Sequence, residues 1–193
     1  MEKSPTLSVS AALAGLYIGI ASIVYFMLLY VFGIMPVGIL KPIVILMLGF
    51  AISILILVIT LKNYRTTAGG YITFVNAFLF AAIALILSTI ISGFFTYLFL
   101  LYFEPDYIRN IMEAQLTWTE NFMVKQGLPD DQIDKALSGI IEKMDDPSPV
   151  SQAFGSLHIS IIVNIVVALI IAAIFKKPKS IFEESQPTVE TKY

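Results

Sequence analysis

The amino-acid sequence predicts an all-α integral membrane protein with four transmembrane helices and an extracytoplasmic two-helix hairpin between the third and fourth helices. The chain has 193 residues, of which 58% are hydrophobic and 13% are charged, whereas about 25% of the residues in a soluble domain are charged. The apolar residues lie in four long blocks without Asp, Glu, Lys or Arg. Each block has the roughly 20 residues that a helix needs to cross a bilayer.

The first apolar block covers residues 7–32 and follows a short N-terminal segment, residues 1–6. A secretory signal has an apolar core of roughly 7–15 residues, so this longer block predicts a helix that is retained in the membrane. A connection that contains Gly33, Pro36 and Gly38 then turns the chain.

The second apolar block covers residues 42–61 and begins with Pro42, a residue that suits the first turn of a helix. Lys62 and Arg65 follow it. Residues 62–70 are therefore predicted to form a cytosolic loop before the third block.

The third block, residues 71–103, is about 50 Å long as a helix. This length exceeds the roughly 30 Å hydrocarbon core, so the helix either tilts or projects beyond the membrane. Aromatic residues crowd its end, as in an interfacial belt: Tyr97, Phe99, Tyr102, Phe103 and Tyr107.

Residues 104–150 are predicted to form an acidic hairpin of two amphipathic helices, because Gly127 and Pro129 interrupt a helical pattern. We expect Trp118 and Phe122 to pack against the bilayer or against the hairpin core rather than in a ligand cage. Apolar residues of the second helix recur at helical spacing: Ile133, Ala136, Leu137, Ile140, Ile141 and Met144.

Acidic residues of the hairpin occur in three clusters. We expect solvated faces and helix-start charges rather than a cation site, because the clusters lack the spacing of a calcium loop. They are Glu104 with Asp106, Asp130 with Asp131 and Asp134, and Asp145 with Asp146.

The fourth block, residues 154–175, precedes a lysine-rich tail, residues 176–193. The segments 1–6, 62–70 and 176–193 together hold seven bases and four acids, whereas 104–150 holds four bases and ten acids. Because Lys and Arg are enriched in cytosolic loops, both termini are predicted to be cytosolic and the hairpin to lie outside.

Asn164 is the main candidate for a polar contact inside the membrane. Counting depth from opposite ends of the third and fourth blocks places Asn164 near Ser88 or Ser92. We interpret this as an interhelical hydrogen bond, which stabilises membrane helices by about 0.6–2 kcal/mol. The alternative is a role in permeation or binding.

Gly15 and Gly19 form a step of small residues that permits close helix contact, either within one chain or in a dimer. His158 is the single histidine and is expected to be interfacial or packed rather than a pH sensor or a partner of Ser156 in catalysis. The chain has no cysteine, which excludes thiol chemistry.

Several short motifs resemble a known family. They include Tyr64-Arg65, Gly70-Tyr71-Ile72-Thr73-Phe74, Glu104-Pro105-Asp106-Tyr107 and Gly127-Leu128-Pro129-Asp130-Asp131-Gln132-Ile133. The layout resembles the uncharacterised membrane family catalogued as domain of unknown function 4199. The resemblance implies a Gram-negative bacterial inner membrane and a periplasmic hairpin, and it implies no activity, cofactor or catalytic residue.

The function expected from these observations is that of a non-enzymatic envelope protein acting through protein or lipid contacts. The alternative is a small-molecule permease or channel subunit, which the lack of charge within the four blocks disfavours. A membrane enzyme that uses the outer carboxylates is a third option. We predict no catalytic residue, cofactor or metal site. The expected partners are the lipid bilayer, a membrane or periplasmic protein and a second copy of the chain. Nucleic acid is excluded, because the chain has no extended basic patch.

Overall fold

The computed structural model describes residues 6–141, 155 and 157–178, with the side chains of Ile140 and His158 excepted. Every regular element in this part of the chain is helical. In chain order the elements are α1 (Leu7–Val31), α2 (Leu40–Thr67), α3 (Phe74–Leu98), a π-helical segment (Phe99–Phe103), α4 (Tyr107–Lys125), α5 (Asp130–Ile141) and α6 (Leu157–Phe175).

Three of the described helices are long and apolar enough to cross a membrane. They are α1, α2 and the continuous helix Phe74–Phe103 formed by α3 and the π-helical segment. The last helix, α6, is apolar but shorter. Most large apolar side chains of α2 are exposed, and only Leu57 and Leu61 of this helix are buried.

The boundaries of α2 and α3 differ from those predicted. The helix α2 continues through Thr67, so the first part of the predicted 62–70 loop is helical and carries Lys62 and Arg65. The helix α3 begins at Phe74 rather than at residue 71, because the Thr73 hydroxyl accepts a hydrogen bond from the Asn76 N–H at 3.2 Å and caps the helix.

The most extensive contact between helices joins α1 to α3. On α1 the buried residues recur every three or four positions and include Gly15 and Gly19. A Cβ atom on Gly15 would lie 2.7 Å from the Ala84 carbonyl oxygen, and one on Gly19 would lie 2.9 Å from Ile91 Cγ2. The step of small residues is thus used within the chain, where α3 occupies the face that a dimer would need.

The helix α3 is central, because α6 packs against it as well as α1. Buried residues of α3 and α6 form one core with α1, Ile72 and the C-terminal half of α2: Ala11, Ala14, Ile18, Leu57, Leu61, Ile72, Ala77, Phe80, Ala81, Ala84, Leu85, Val167, Ala168, Ile171 and Ala172. The N-terminal half of α2 leaves a groove of about 390 Å³ beside α1.

The helices α4 and α5 pack against each other after a turn at Gly127. Ile133 and Leu137 of α5 are buried, whereas α4 has no fully buried residue. The predicted break between two amphipathic helices is therefore present. Met144, Asp145 and Asp146, and the rest of the predicted 104–150 segment after Ile141, lie outside the described residues.

The α1–α3 contact predicts a large difference between two Gly→Ala substitutions. Gly15→Ala should lower the free energy of unfolding by about 1–3 kcal/mol, because its methyl group meets backbone. Gly139→Ala in α5 has open space around the new Cβ and should stabilise by up to about 1 kcal/mol. Thermal melting in detergent measures both. A Gly15→Ala protein that melts at or above the wild-type temperature would refute the close contact.

Candidate interaction sites at the two ends of the helix bundle

A cluster of aromatic rings surrounds Phe99 where α3 becomes π-helical. The wider turn is marked by the Glu104 N–H, which donates to the Phe99 carbonyl oxygen five residues earlier at 3.0 Å. Such π-helical turns are frequent at functional sites. The Phe99 ring centroid lies 5.0–6.4 Å from those of its neighbours: Phe26, Tyr30, Phe95, Phe103 and Tyr107.

The aromatic residues of the predicted interfacial belt fall into two groups, one packed within this cluster and one exposed. Phe99 is buried and Tyr107 half-buried within the cluster, whereas Tyr102 and Phe103 are among the most exposed large apolar residues that the structure describes. Burial among the rings raises the pKa of the Tyr107 phenol, and the nearby Tyr30 adds to the rise. Both effects favour the neutral phenol, whose ring packs against Phe99.

Glu104 connects the start of the acidic segment to α1. The Tyr30 hydroxyl donates to Glu104 Oε2 at 2.9 Å. The π-helical turn places Glu104 beside α1, since its backbone N–H is held by Phe99. This carboxylate, which the sequence indicated only as a solvated charge, thus fastens the region before α4 to the membrane helices.

A second contact fastens α4 to the connection between α1 and α2. The Gly38 N–H donates to Gln115 Oε1 at 2.7 Å. The Trp118 ring covers Gly38 so closely that a Cβ atom there would lie 3.1 Å from Trp118 Cε2. Gly38 has a φ of +89°, a conformation that favours glycine.

The expected packing of Trp118 within the hairpin includes a further partner that the sequence did not indicate. Trp118 lies against the α1–α2 connection and stacks on Phe122, with ring centroids 5.2 Å apart. Phe122 is 41% exposed. Sequence reasoning missed this contact because the partner is a glycine, which carries no hydropathy signal.

The opposite face of α4 is exposed and acidic. Glu113, Thr117, Glu120 and Val124 follow one another at intervals of three or four residues, and each is exposed. Residues at this spacing share one face of a helix. Between residues 104 and 141 the chain carries seven carboxylates and three basic side chains. We call the four exposed residues the α4 stripe.

Asn164 of α6 bonds to α3 in the middle of the bundle. Its Nδ2 donates to Thr89 Oγ1 at 2.8 Å and lies 3.4 Å from the Leu85 carbonyl oxygen. The partner is thus Thr89 rather than Ser88 or Ser92. The hydroxyls of those two serines donate to backbone carbonyls of α3 itself, at 2.8 Å and 2.6 Å.

The other end of the bundle is joined by a short backbone pairing. Ile72 and Lys177 exchange two N–H to carbonyl hydrogen bonds, each 2.9 Å long. Lys62 Nζ lies 5.5 Å from the centroid of the Phe175 ring, and Arg65 Nη1 lies 3.5 Å from the Phe175 carbonyl oxygen. The last turns of α2 and the exit of α6 therefore meet here. We call Lys62, Arg65, Lys176 and Lys177 the basic cluster.

The groove between α1 and α2 is largely apolar. Its three hydroxyl groups are already engaged, because Ser22 donates to Ile18 O, Ser53 to Gly49 O and Tyr25 to Ile45 O. In the described part of the chain, His, Asp and Glu side chains form no group of three that could hold a metal ion. The side chain of His158, and Ser156, lie outside the described residues.

These features define an all-helical protein with apolar helices able to cross a membrane and with polar contacts gathered at both ends of the bundle. The chain belongs to the family described as protein of unknown function (DUF4199), whose model matches residues 13–177. The family resemblance of the sequence motifs is confirmed. No curated protein and no solved structure matches the chain.

The Gly38–Trp118 contact predicts unequal effects of two substitutions at glycines with positive φ. Gly33 has a φ of +64° and open space around it, so Gly33→Ala pays only backbone strain of about 1–2 kcal/mol. Gly38→Ala introduces similar strain and also displaces Trp118. The melting temperature of the Gly38→Ala protein should therefore be lower than that of the Gly33→Ala protein. Trp118 is the single tryptophan, and its fluorescence should change in Gly38→Ala alone. Equal melting temperatures and equal tryptophan fluorescence of the two variants would contradict the contact.

The Asn164–Thr89 hydrogen bond predicts a coupling between α3 and α6. In a double-mutant cycle, Asn164→Leu and Thr89→Val should show an interaction energy of about 0.6 kcal/mol and at most about 1.7 kcal/mol. Ser92→Ala serves as the control, because the Ser92 hydroxyl bonds within its own helix. Unfolding in detergent measures the cycle. A coupling to Ser92 as large as that to Thr89 would exclude this pairing.

Proposed function

We propose that the protein is a non-enzymatic, multi-pass protein of the bacterial inner membrane and that it binds a partner protein through the α4 stripe. In this proposal α1, α2, α3 and α6 all cross the membrane, both termini are cytosolic and α4 and α5 lie in the periplasm. The observation that carries the proposal is the fastening of one face of α4 to the membrane helices while the opposite face stays exposed.

The apolar exteriors of the helices support the membrane placement. Large apolar side chains are exposed along α1, α2 and α6, a pattern that costs free energy in water and none in lipid. Hydroxyl groups along these helices donate to backbone carbonyls, as a medium without water requires.

The charge distribution supports the orientation. Within the described residues, every carboxylate lies between Glu104 and Asp134. The opposite end carries the basic cluster, and basic residues are enriched on the cytosolic side of membrane proteins. A helix α6 of 19 residues is close to the length that a tilted or locally thinned bilayer requires.

The contacts of α4 hold it in a fixed position, which favours a role in binding a partner protein. Glu104, Gln115 and Trp118 hold this part of the chain against α1 and the α1–α2 connection. A partner that binds the α4 stripe therefore meets a surface that is already ordered, which lowers the entropic cost of binding.

The chemistry of the stripe indicates what it binds. Its two carboxylates, Glu113 and Glu120, lie in the same row as Val124, which is 60% exposed. A partner with a basic patch beside an apolar contact complements this row. We therefore propose a protein with a basic docking surface as the occupant.

A single-cysteine experiment tests orientation and docking together. The chain has no cysteine, so Val124→Cys and Asn63→Cys each introduce one thiol. A membrane-impermeant maleimide should label Val124→Cys in intact spheroplasts and Asn63→Cys only after permeabilisation. A photo-crosslinker attached to the thiol of Val124→Cys should then form an adduct with the partner. That adduct should disappear when Glu113→Gln and Glu120→Gln are added, because the basic partner loses its ionic contacts.

Lys125→Gln is the matched control, since it neutralises an exposed charge of opposite sign on the same helix and should keep the adduct. The docking proposal fails if the adduct survives the loss of both carboxylates. It also fails if the adduct has twice the mass of the chain, which would make a second copy the occupant. Labelling of Asn63→Cys in intact spheroplasts would reverse the orientation.

A further inference from the structure

Three cations of the basic cluster, from two separate parts of the sequence, meet at one end of the bundle. Lys62 and Arg65 stand on the last turns of α2, and both approach Phe175 at the end of α6. Lys177 follows two residues later and pairs with Ile72 of the α2–α3 connection. Its Nζ lies 5.7 Å from the centroid of the Tyr71 ring. The pairing therefore holds the end of α6 beside the basic turns of α2.

In the residues that the structure describes at this end, which are 6–12, 62–78 and 173–178, no carboxylate accompanies these cations. The described part of this end is therefore positively charged. A cavity of about 180 Å³ lies among the same elements. Its lining includes Tyr71, Ile72, Thr73, Asn76 and Lys177. The first turn of α3 lies beside this cavity. The positive end of the α3 dipole is there, and it also favours a negatively charged ligand.

Exposed apolar side chains lie directly below the cations. On α2, Leu55 and Ile59 are 61% and 48% exposed and precede Lys62 by seven and three residues, so the three share one face. Ile170 and Ile174 are exposed on the last turns of α6. Cations next to an exposed apolar surface match an amphiphile with a negatively charged headgroup. A free anion would contact the cations and leave the apolar surface unused.

We propose that the basic cluster binds the phosphate of an anionic phospholipid, with Lys62, Arg65 and Lys177 around the headgroup and the acyl chains against α2 and α6. Basic pockets between membrane helices bind anionic headgroups in this way. The site does not depend on the docking function proposed above, because its residues lie at the opposite end of the bundle.

The test titrates the full-length protein, in detergent, with short-chain phosphatidylglycerol and with short-chain phosphatidylcholine, using native mass spectrometry. The wild-type chain should prefer phosphatidylglycerol. Lys62→Gln, Arg65→Gln and Lys177→Gln should each weaken phosphatidylglycerol binding about fivefold and leave phosphatidylcholine binding unchanged. Lys62→Arg should retain the preference, which separates loss of charge from loss of fold.

Lys125→Gln, an exposed cation of α4, is the control and should bind both lipids as the wild type does. The proposal is overturned if the two lipids bind equally, or if Lys125→Gln weakens binding as much as Lys62→Gln. It is also overturned if inorganic phosphate binds as tightly as phosphatidylglycerol, because the apolar surface would then contribute nothing.

Discussion

The close approach of α1 to α3 is the contact on which the rest of the structure depends. Lipid tails are as apolar as the helices, so apolar burial alone does not hold membrane helices together, and packing at short distance does. Gly15 and Gly19 permit that distance because they present no side chain to Ala84 and Ile91. The contact also sets the position of α1 along α3. It therefore brings Tyr30, at the end of α1, to Glu104 just beyond the π-helical segment.

Polar contacts of two kinds occur among the described residues of the bundle. The Ser22, Ser53 and Thr60 hydroxyls donate to carbonyls of their own helices, which satisfies them without choosing a neighbour. The Asn164 amide reaches across from α6 to Thr89 and so specifies both the rotation and the depth of α6. The ends of the helices are specified differently, by a backbone pairing at Ile72 and by side chains of α4 on the α1–α2 connection.

Sequence reasoning located the helices well, because uninterrupted apolar blocks and the amphipathic spacing around Ile133 and Leu137 depend only on neighbouring residues. It ended α2 too early, since Lys62 and Arg65 stop an apolar block without stopping a helix. It placed Asn164 at the depth of Ser88 or Ser92. Depth does not define rotation, and Thr89, the residue after Ser88, points about 100° away from it around the helix. The Gly38–Gln115 hydrogen bond joins residues 77 positions apart. Neither a glycine nor a glutamine indicates such a long-range contact in the sequence. The π-helical turn also left no signal, because hydropathy does not record backbone register.

The two proposed binding surfaces are connected by one helix. The continuous helix Phe74–Phe103 has 30 residues and so is about 45 Å long. Its first turn opens on the cavity beside the basic cluster, and its last turn holds Glu104 below α4. Substitutions at sites so far apart have additive effects unless a shared element moves. Bound lipid can change docking only if it favours one of two positions of that helix, and docking must then change lipid affinity by the same factor. The tight α1–α3 contact opposes such movement, because a slide of α3 would drive side chains into Gly15 and Gly19. The geometry therefore favours two independent sites on a rigid helix.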